Sequence, residues 1–380
     1  MAGRKPGAVM VVGLSARALA MAARRAGLVP FAVDLFADAD TRALAAAYRQ
    51  VPGDGAGGLE PDALAGAAES LARAAHEAGH ALAGLIYANG FEAAPATLAC
   101  LGRQWTLLGN SPETLAKLKN PRVFAALCRN VGIPHPPPRF APAPDAQWLE
   151  KRIGAAGGGH IRVVPAGTRP RPGHYLQRRW PGRPVSALFV ANGHAAMPLF
   201  FSAQWPDPAP EAPFRYGGAV RPAAIAPRVA ARLEAAITAI TAAAGLVGLN
   251  SADFLLDGED WALLEINPRP GATLDLAPRE ALAWHLASLR GQLPARHLTP
   301  GDSTLGRAGA AAIFYAPRRI SVDAAFSWPD WTMDRPAPGT EIAAGAPFCS
   351  LRAQGHSAEA ALARLGQRMK RLATRAEKAP

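Results

Sequence analysis

Cysteine is scarce: Cys100, Cys128 and Cys349 are odd in number and widely separated. They fit a reducing compartment better than a disulfide framework. No stretch of about 18 charge-free apolar residues occurs, which argues against a membrane-spanning helix. The residues before the first strand-like run lack the long apolar segment and cleavage site of a signal peptide, so a cytoplasmic protein is expected. The net charge is +12, yet no dense Lys/Arg run with interleaved aromatics is present. The usual footprint of a nucleic-acid surface is therefore missing, and no nucleic-acid partner is expected. Nor is there an internal repeat. What is present is ordinary globular material: 49% apolar residues in 380, enough for two or three packed units.

The first third alternates in period. "AVMVVGLSARALAMAARRAG" reads as strand, turn and helix, with Ser15 as N-cap and Gly27 as the stop. "LVPFAVDLF" is a second strand ending near Asp34, a helical pattern over 61–79 leads to the strand in "ALAGLIYANG", and "TLLGN" is a short fourth. That alternation predicts an α/β unit with an open, mostly parallel sheet. From Ser111 two short helices follow in "SPETLAKLKNPRVFAALCRNVG", and "IPHPPPRFAPAP" then breaks regular structure near residue 140, as a linker or a loop. Beyond it come strands at "QWLEKRI", "IRVV", "HYLQRRW", "PVSALFVAN" and "AAMPLFFSAQ", a helix over 227–244, and strands at "GLNSADFLLDG" and "EDWALLEIN". A helix over 278–290, strands at "GAAAIFYAP" and "PFCSLRAQ", and a basic amphipathic helix over 357–377 complete the reading.

Two motifs point to chemistry they do not complete. The first strand-to-helix turn, "VVGLSAR", has Gly13 alone where a dinucleotide fold needs three glycines for the pyrophosphate. Asp34, at the second strand end, could hold a ribose or cap a helix. "HEAGH", 76–80, matches the zinc-protease pattern, but it ends a helix, where histidine and glycine also serve as caps. No third ligand follows at a sensible distance, so no zinc centre is expected.

Two others carry more. In "WLEKRIGAAGGGH", Lys151 on a strand precedes Gly157, Gly158 and Gly159 in a tight loop. Such glycines let amide groups converge on phosphate oxygens while the lysine neutralises their charge. In "LLEINPRPG", Glu265 and Asn267 are two apart on a strand and share a face. Asp253 lies on the preceding strand of a hairpin that turns near "LDGED", so it can meet them across the ladder. Two carboxylates and an amide carbonyl form an oxygen-only set suited to Mg²⁺. Pro268 and Pro270 fix the backbone around Arg269, whose planar fork suits a carboxylate or acyl phosphate.

At these residues the chain resembles the ATP-grasp superfamily, enzymes that join carbon to nitrogen through acyl phosphates. The resemblance implies an ATP-grasp fold: a Rossmann-like pre-grasp domain over 1–110, linker helices and a lid over 111–205, and an α+β catalytic subdomain with an extension over 206–380. It implies Asp253, Glu265 and Asn267 as Mg²⁺ ligands, with Mn²⁺ as the other candidate ion, and Arg269 as the transition-state clamp. Lys151 and Gly157 to Gly159 would close on the phosphates of ATP. "LKNPRVFAALCRNVGIPHP" is similar to the helix that usually brings a second nucleotide lysine. Pro121 stands at that position here, leaving Lys119 or Arg122 to substitute. Gln177, followed by Arg178 and Arg179, falls at the adenine hinge, where the family often has glutamate.

Among subgroups, "VVGLSARALAMAARRAG" with "FAVDLFAD" looks most like carboligase-like proteins of methylotroph one-carbon cofactor gene sets. A ligase joining small-molecule carboxylate and amine substrates is the implied activity, possible homodimers included, with addition of an amino acid such as glutamate to a methanopterin- or methanofuran-type cofactor as the finer expectation. A biotin- or bicarbonate-dependent carboxylase and a catalytically inactive nucleotide-binding protein are the alternatives.

Overall fold

Strand Ala8–Val12 is buried along its whole length, as a continuous apolar run in the middle of a parallel sheet must be. A computed structural model describes residues 6–55, 57–294 and 307–377. In it, this strand lies between Val29–Asp34 and Leu82–Tyr87, and the parallel sheet runs Ala47–Gln50, Val29–Asp34, Ala8–Val12, Leu82–Tyr87. Ala47–Gln50 is the edge strand that periodicity does not signal, being four residues long with half of them exposed. "TLLGN" supplies a single bridge, Leu107 to Leu85, instead of a strand.

Helix Arg17–Arg25 opens on Ala16 and has no side-chain cap of its own, so Ser15 does not cap it. Asp34 does that work from the next strand end: its Oδ2 accepts from the Ala16 amide at 3.0 Å, and its Oδ1 from the Ala37 amide and the Tyr48 hydroxyl, each at 2.9 Å. Asp34 is wholly buried, so of the two roles open to it the fold realises the capping one.

A small antiparallel sheet, ordered Pro138–Arg139, His174–Arg178, Trp148–Arg152, Arg162–Val164, closes over its own core of Ala143, Trp148, Val164 and Leu176. Its hairpin Trp148–Arg152 to Arg162–Val164 holds the glycine loop at the tip. The large sheet has eight strands, ordered Asp260–Asn267, Val247–Asp257, Arg183–Asn192, Ala196–Pro206, Tyr216–Arg221, Ala308–Tyr315, Pro347–Gly355, Thr332–Met333, and the pairing is antiparallel throughout.

Helix Pro227–Ala244 begins with proline, whose missing amide is harmless in the first turn, and stops at Gly245 in the left-handed region. Its apolar stripe, Val229, Leu233, Ile237 and Ile240, covers Phe189, Phe254 and Ile266 of the sheet. Burying each large side chain there stabilises the fold by about 1.5–3 kcal/mol. Strand Asp260–Asn267 is thereby seated against a dry core on one face, leaving the other to carry polar groups. The tail helix Ala358–Glu377 packs Ala361, Leu365 and Leu372 into a cluster with Leu351 and Phe314. The helix expected over 278–290 spans Ala281–Ser288. Among the described residues no helix is long and apolar enough to cross a membrane.

Candidate active site

Register does most of the assembly. Strands Val247–Asp257 and Asp260–Asn267 pair so that Asp253 stands opposite Glu265 and Ser251 opposite Asn267. The amide nitrogen of Asn267 donates to Asp253 Oδ2 at 3.1 Å, which turns its oxygen the other way. That oxygen accepts from Lys119 Nζ at 2.7 Å, and Glu265 Oε2 accepts from the same ammonium at 3.1 Å.

Lys119 is the last residue of helix Pro112–Lys119, which ends because Asn120 leaves helical geometry to cap the next helix, begun by Pro121. The break leaves Lys119 buried with its ammonium on the hairpin. Arg122 goes elsewhere, its guanidinium 3.8 Å above the Phe140 ring. Of the two candidates for the second lysine position, Lys119 is the one in the cleft with the acidic pair.

The electrostatics of this pair are opposed. Burial, then the facing Glu265, push the Asp253 carboxyl well above the usual carboxylate range. Desolvation also works to raise Glu265, but Lys119 and its hydrogen bond, with Lys151 and His160, hold that carboxyl below its ordinary value. Glu265 is thus matched by built-in cations while Asp253 is not. Such an under-compensated carboxylate beside a second carboxylate and an amide oxygen is a fitting donor set for a hard divalent ion such as Mg²⁺ or Mn²⁺. Among the described residues no group of three or more His, Cys, Asp or Glu side chains gathers to hold a metal; the set here is two carboxylates and an amide oxygen.

Arg269 is 7% exposed, and its Nε donates to Glu92 Oε1 at 2.6 Å, with Nη2 2.5 Å from the same oxygen. It also faces Asn267 Oδ1 at 3.5 Å. Glu92 comes from the loop after strand Leu82–Tyr87 and is itself anchored, its Oε2 accepting from the Gly90 and Phe91 amides at 2.8 and 3.1 Å. Burial pulls its carboxyl upward, but Arg269 and then Lys119 carry it below the normal range. Sequence reasoning passed over Glu92. Its place just beyond the carboxyl end of a parallel strand, where such sheets build their sites, was the available signal. Ser186, opposite Asp253 on the neighbouring strand and hydrogen-bonded to it, was missed for the same reason: the contact crosses strands far apart in the chain.

From the small sheet, Lys151 Nζ donates to Gln177 Oε1 at 2.7 Å, and Gln177 Nε2 donates to the Pro136 carbonyl at 2.7 Å. Burial lowers the Lys151 ammonium, and Glu265 and Asp253 pull against that shift. Gly157 and Gly158 hold φ near +76° and +74°. A side chain on Gly158 would meet the Phe214 carbonyl at 2.0 Å, so the loop lies flush on the 207–216 segment. The Tyr216 amide donating to Gly157 O at 3.0 Å fastens it there.

A single cavity of about 940 Å³ is lined by Lys119, Lys151, Gly157, Gly158, Gln177, Asp253, Glu265, Asn267 and Arg269. Gly159 is the one expected site residue outside that lining. Arg178 and Arg179 do line it, beside Gln177.

The "HEAGH" residues lie away from this cavity. The helix ends at Glu77, Gly79 turns the chain through φ +73°, and the His80 ring sits against Phe31 at 6.2 Å. His76 and His80 therefore do not stand one helical turn apart on a common face. Purified protein is expected to hold no stoichiometric zinc, and His76→Ala to leave turnover unchanged. Metal analysis finding one tightly bound zinc per chain would reverse that expectation.

Residues 121–273 match the family described as the ATP-grasp domain. Among curated proteins, none matches the chain. Solved structures do resemble it in fold. The biotin carboxylase domain dimer of 2-oxoglutarate carboxylase from Hydrogenobacter thermophilus, solved with MgADP, ADP and bicarbonate, has TM-score 0.70 at 12% identity, over 96% of this chain and 89% of that one. Biotin carboxylase from Campylobacter jejuni has TM-score 0.68 at 13% identity, over 94% and 90%. N5-carboxyaminoimidazole ribonucleotide synthetase from Thermus thermophilus has TM-score 0.67 at 17% identity, over 94% and 98%. Residues 121–273 thus match an ATP-grasp domain, and along nearly its whole length the chain shares the fold of these structures.

Proposed function

We propose that this protein is an ADP-forming carboxylate–amine ligase. The observation that carries the reading is the convergence, in one cavity, of an oxygen-only acidic set, a buried arginine and two lysines from separate elements. In this reading Asp253, Glu265 and Asn267 hold the metal, and Lys119, Lys151, Gly157, Gly158 and Gly159 attend the nucleotide phosphates, with Gln177 at the adenine. Mg²⁺, when bound, supplies charge neutralisation on the phosphates.

The residues of the chain do the rest by position. Arg269, held by Glu92, aims a rigid fork at the substrate carboxylate. A carboxylate oxygen then attacks the γ-phosphorus, the bond to the bridging oxygen breaks, and ADP leaves. The amine nitrogen attacks the acyl carbon, the phosphate departs with the bonding pair, and the nitrogen loses a proton. Closure of the glycine loop keeps water from the acyl phosphate.

The proposed division of labour is a pre-grasp unit over 1–110, linker helices and lid over 111–205 and a catalytic unit over 206–380. The proposed substrate pair is an amino acid such as glutamate and a one-carbon cofactor precursor of methanopterin or methanofuran type, on the strength of the first strand–helix resemblance. A cytoplasmic homodimer is the proposed form, the dimeric biotin carboxylase domain among similar structures being its support. That domain was solved with bicarbonate, which favours carboxylation as a second reading.

An ADP-release screen over paired acids and amines, with bicarbonate as a separate arm, decides between them. Release that needs bicarbonate and ignores every amine would overturn the ligase. Lys151→Ala is expected to weaken ATP binding by about 1.5–3 kcal/mol, the scale of a charge-assisted hydrogen bond. Unchanged affinity by calorimetry would place the phosphates away from this lysine.

A further inference from the structure

The same cavity is lined by a second charged group, built from elements the ligase chemistry does not use: Ser15, Arg17, Asp38, Asp275 and Asp334. Arg17, 4% exposed at the start of the first helix, is fully engaged. Its Nε and Nη2 donate to the two oxygens of Asp334 at 2.9 Å each, and its Nη2 donates to Asp275 at 2.5 Å. Ser15 Oγ adds a bond to Asp334 at 3.3 Å. With both of its faces held by carboxylates, Arg17 offers nothing to an anionic ligand.

Asp38 is different. It is 5% exposed, and among the described residues its Oδ2 has no hydrogen-bond partner. It sits at the N-cap of helix Ala39–Leu44, where aspartate ordinarily accepts from helix amides, and it makes no such bond. Of the charged groups that act on it most strongly, Asp334, Asp34 and Asp40 share its sign and Arg17 opposes it, while the nearby Arg335 is paired with Asp40. Burial first, then Asp334 and Asp34, push its carboxyl up to about 8. Non-glycine residues also occupy the left-handed region here, at Ala37, next to Asp38, with φ +56° and at Asp334 itself with φ +54°. Such strain persists only where the surroundings impose it. A buried carboxyl oxygen without a hydrogen bond is costly, and a cation completes it.

We propose that Asp38, with Asp334, forms a cation subsite in the cleft for a substrate ammonium that is not the acylated nitrogen. A nitrogen that attacks an acyl carbon must be neutral, whereas a carboxylate partner stabilises the protonated form, so the two roles fall to different atoms. The ammonium belongs either to the amine partner, making it a diamine, or to the acid partner, making it an amino acid. That this ligand is a substrate rests on the ligase reading; that the site takes an ammonium does not.

The test is calorimetric titration of the full chain with two matched pairs, L-glutamate against glutarate and 1,4-diaminobutane against 1,4-butanediol, repeated on Asp38→Asn. The wild-type protein is expected to prefer an ammonium compound to its counterpart without the ammonium. The pair that shows the preference identifies the source. Asp38→Asn should weaken that binding at least about tenfold, the scale of one charge-assisted hydrogen bond. Its melting temperature should be equal or higher, because the amide replaces a buried carboxyl that burial already keeps largely protonated and that costs stability when it ionises.

Equal binding within both pairs, or a variant that binds as wild type does, would overturn the subsite. So would a variant that melts well below wild type, since Asp38 would then have a structural role. A parallel MgADP titration reads the ligase assignment by itself. Protein that takes nucleotide but shows no ammonium preference loses the subsite alone. Protein that shows the preference but takes no nucleotide keeps the subsite and loses the ligase.

Discussion

Glu265→Gln is expected to cut ATP consumption by at least about a hundredfold, more than the outer-sphere partners of a metal usually carry, while the protein melts close to wild type. The substitution preserves shape and an oxygen acceptor for Lys119, so a residue with only a structural role should tolerate it. The ion pair it removes is worth little to the fold, since the Glu265 side chain is 39% exposed to the cleft and solvent screens it. What the amide cannot supply is a hard anionic oxygen for a divalent ion. Asp253, already pushed up by burial and by Glu265, cannot take over the whole charge. ATP consumption with excess Mg²⁺, read beside a thermal melt, is the measurement. Near-normal turnover in the glutamine variant would sink the metal assignment and most of the ligase reading with it.

Arg269 and Glu92 make the second large effect, and here stability and activity separate. Their side chains are 7% and 4% exposed, so each charge depends on the other for solvation. Glu92→Ala strands a buried guanidinium and should cost about 3–5 kcal/mol of stability, the range for breaking a buried pair from one side. Arg269→Lys keeps a positive charge beside Glu92 and should cost far less stability. Turnover should nevertheless be lost, because an ammonium cannot reproduce the planar fork that binds a carboxylate through two parallel bonds. Denaturant unfolding and ATP consumption on both variants test the pair. A lysine variant with wild-type turnover would show that Arg269 serves only to neutralise Glu92.

What could be read from the chain alone was set by short-range rules. The period of two along "LLEIN" puts Glu265 and Asn267 on one face, and the tight turn at "LDGED" brings Asp253 near them across the ladder, although a bulge between Asp253 and Phe254 is what sets Asp253 opposite Glu265. Helix Pro227–Ala244 was equally legible, bounded by a proline at its first turn and a glycine at its end. The glycine run after Lys151 announced a close backbone approach for the same local reason.

The residues that escaped are those whose partners lie far away in sequence. Glu92 meets Arg269 across 177 positions, and Arg17 meets Asp334 across 317. The choice of Lys119 over Arg122 turned on where one helix breaks and which way its last side chain faces. Ser15 does not cap the helix: its hydroxyl donates to Asp334, 319 positions away, and Asp34 from the next strand takes the Ala16 amide. Charge pairing over such distances depends on how the sheets are stacked, and no periodicity within a segment encodes it. The shared face of Glu265 and Asn267 was therefore written in the sequence, whereas the arginine's anchor, the lysine that meets Glu265 and the burial of Asp38 were decided by the tertiary fold.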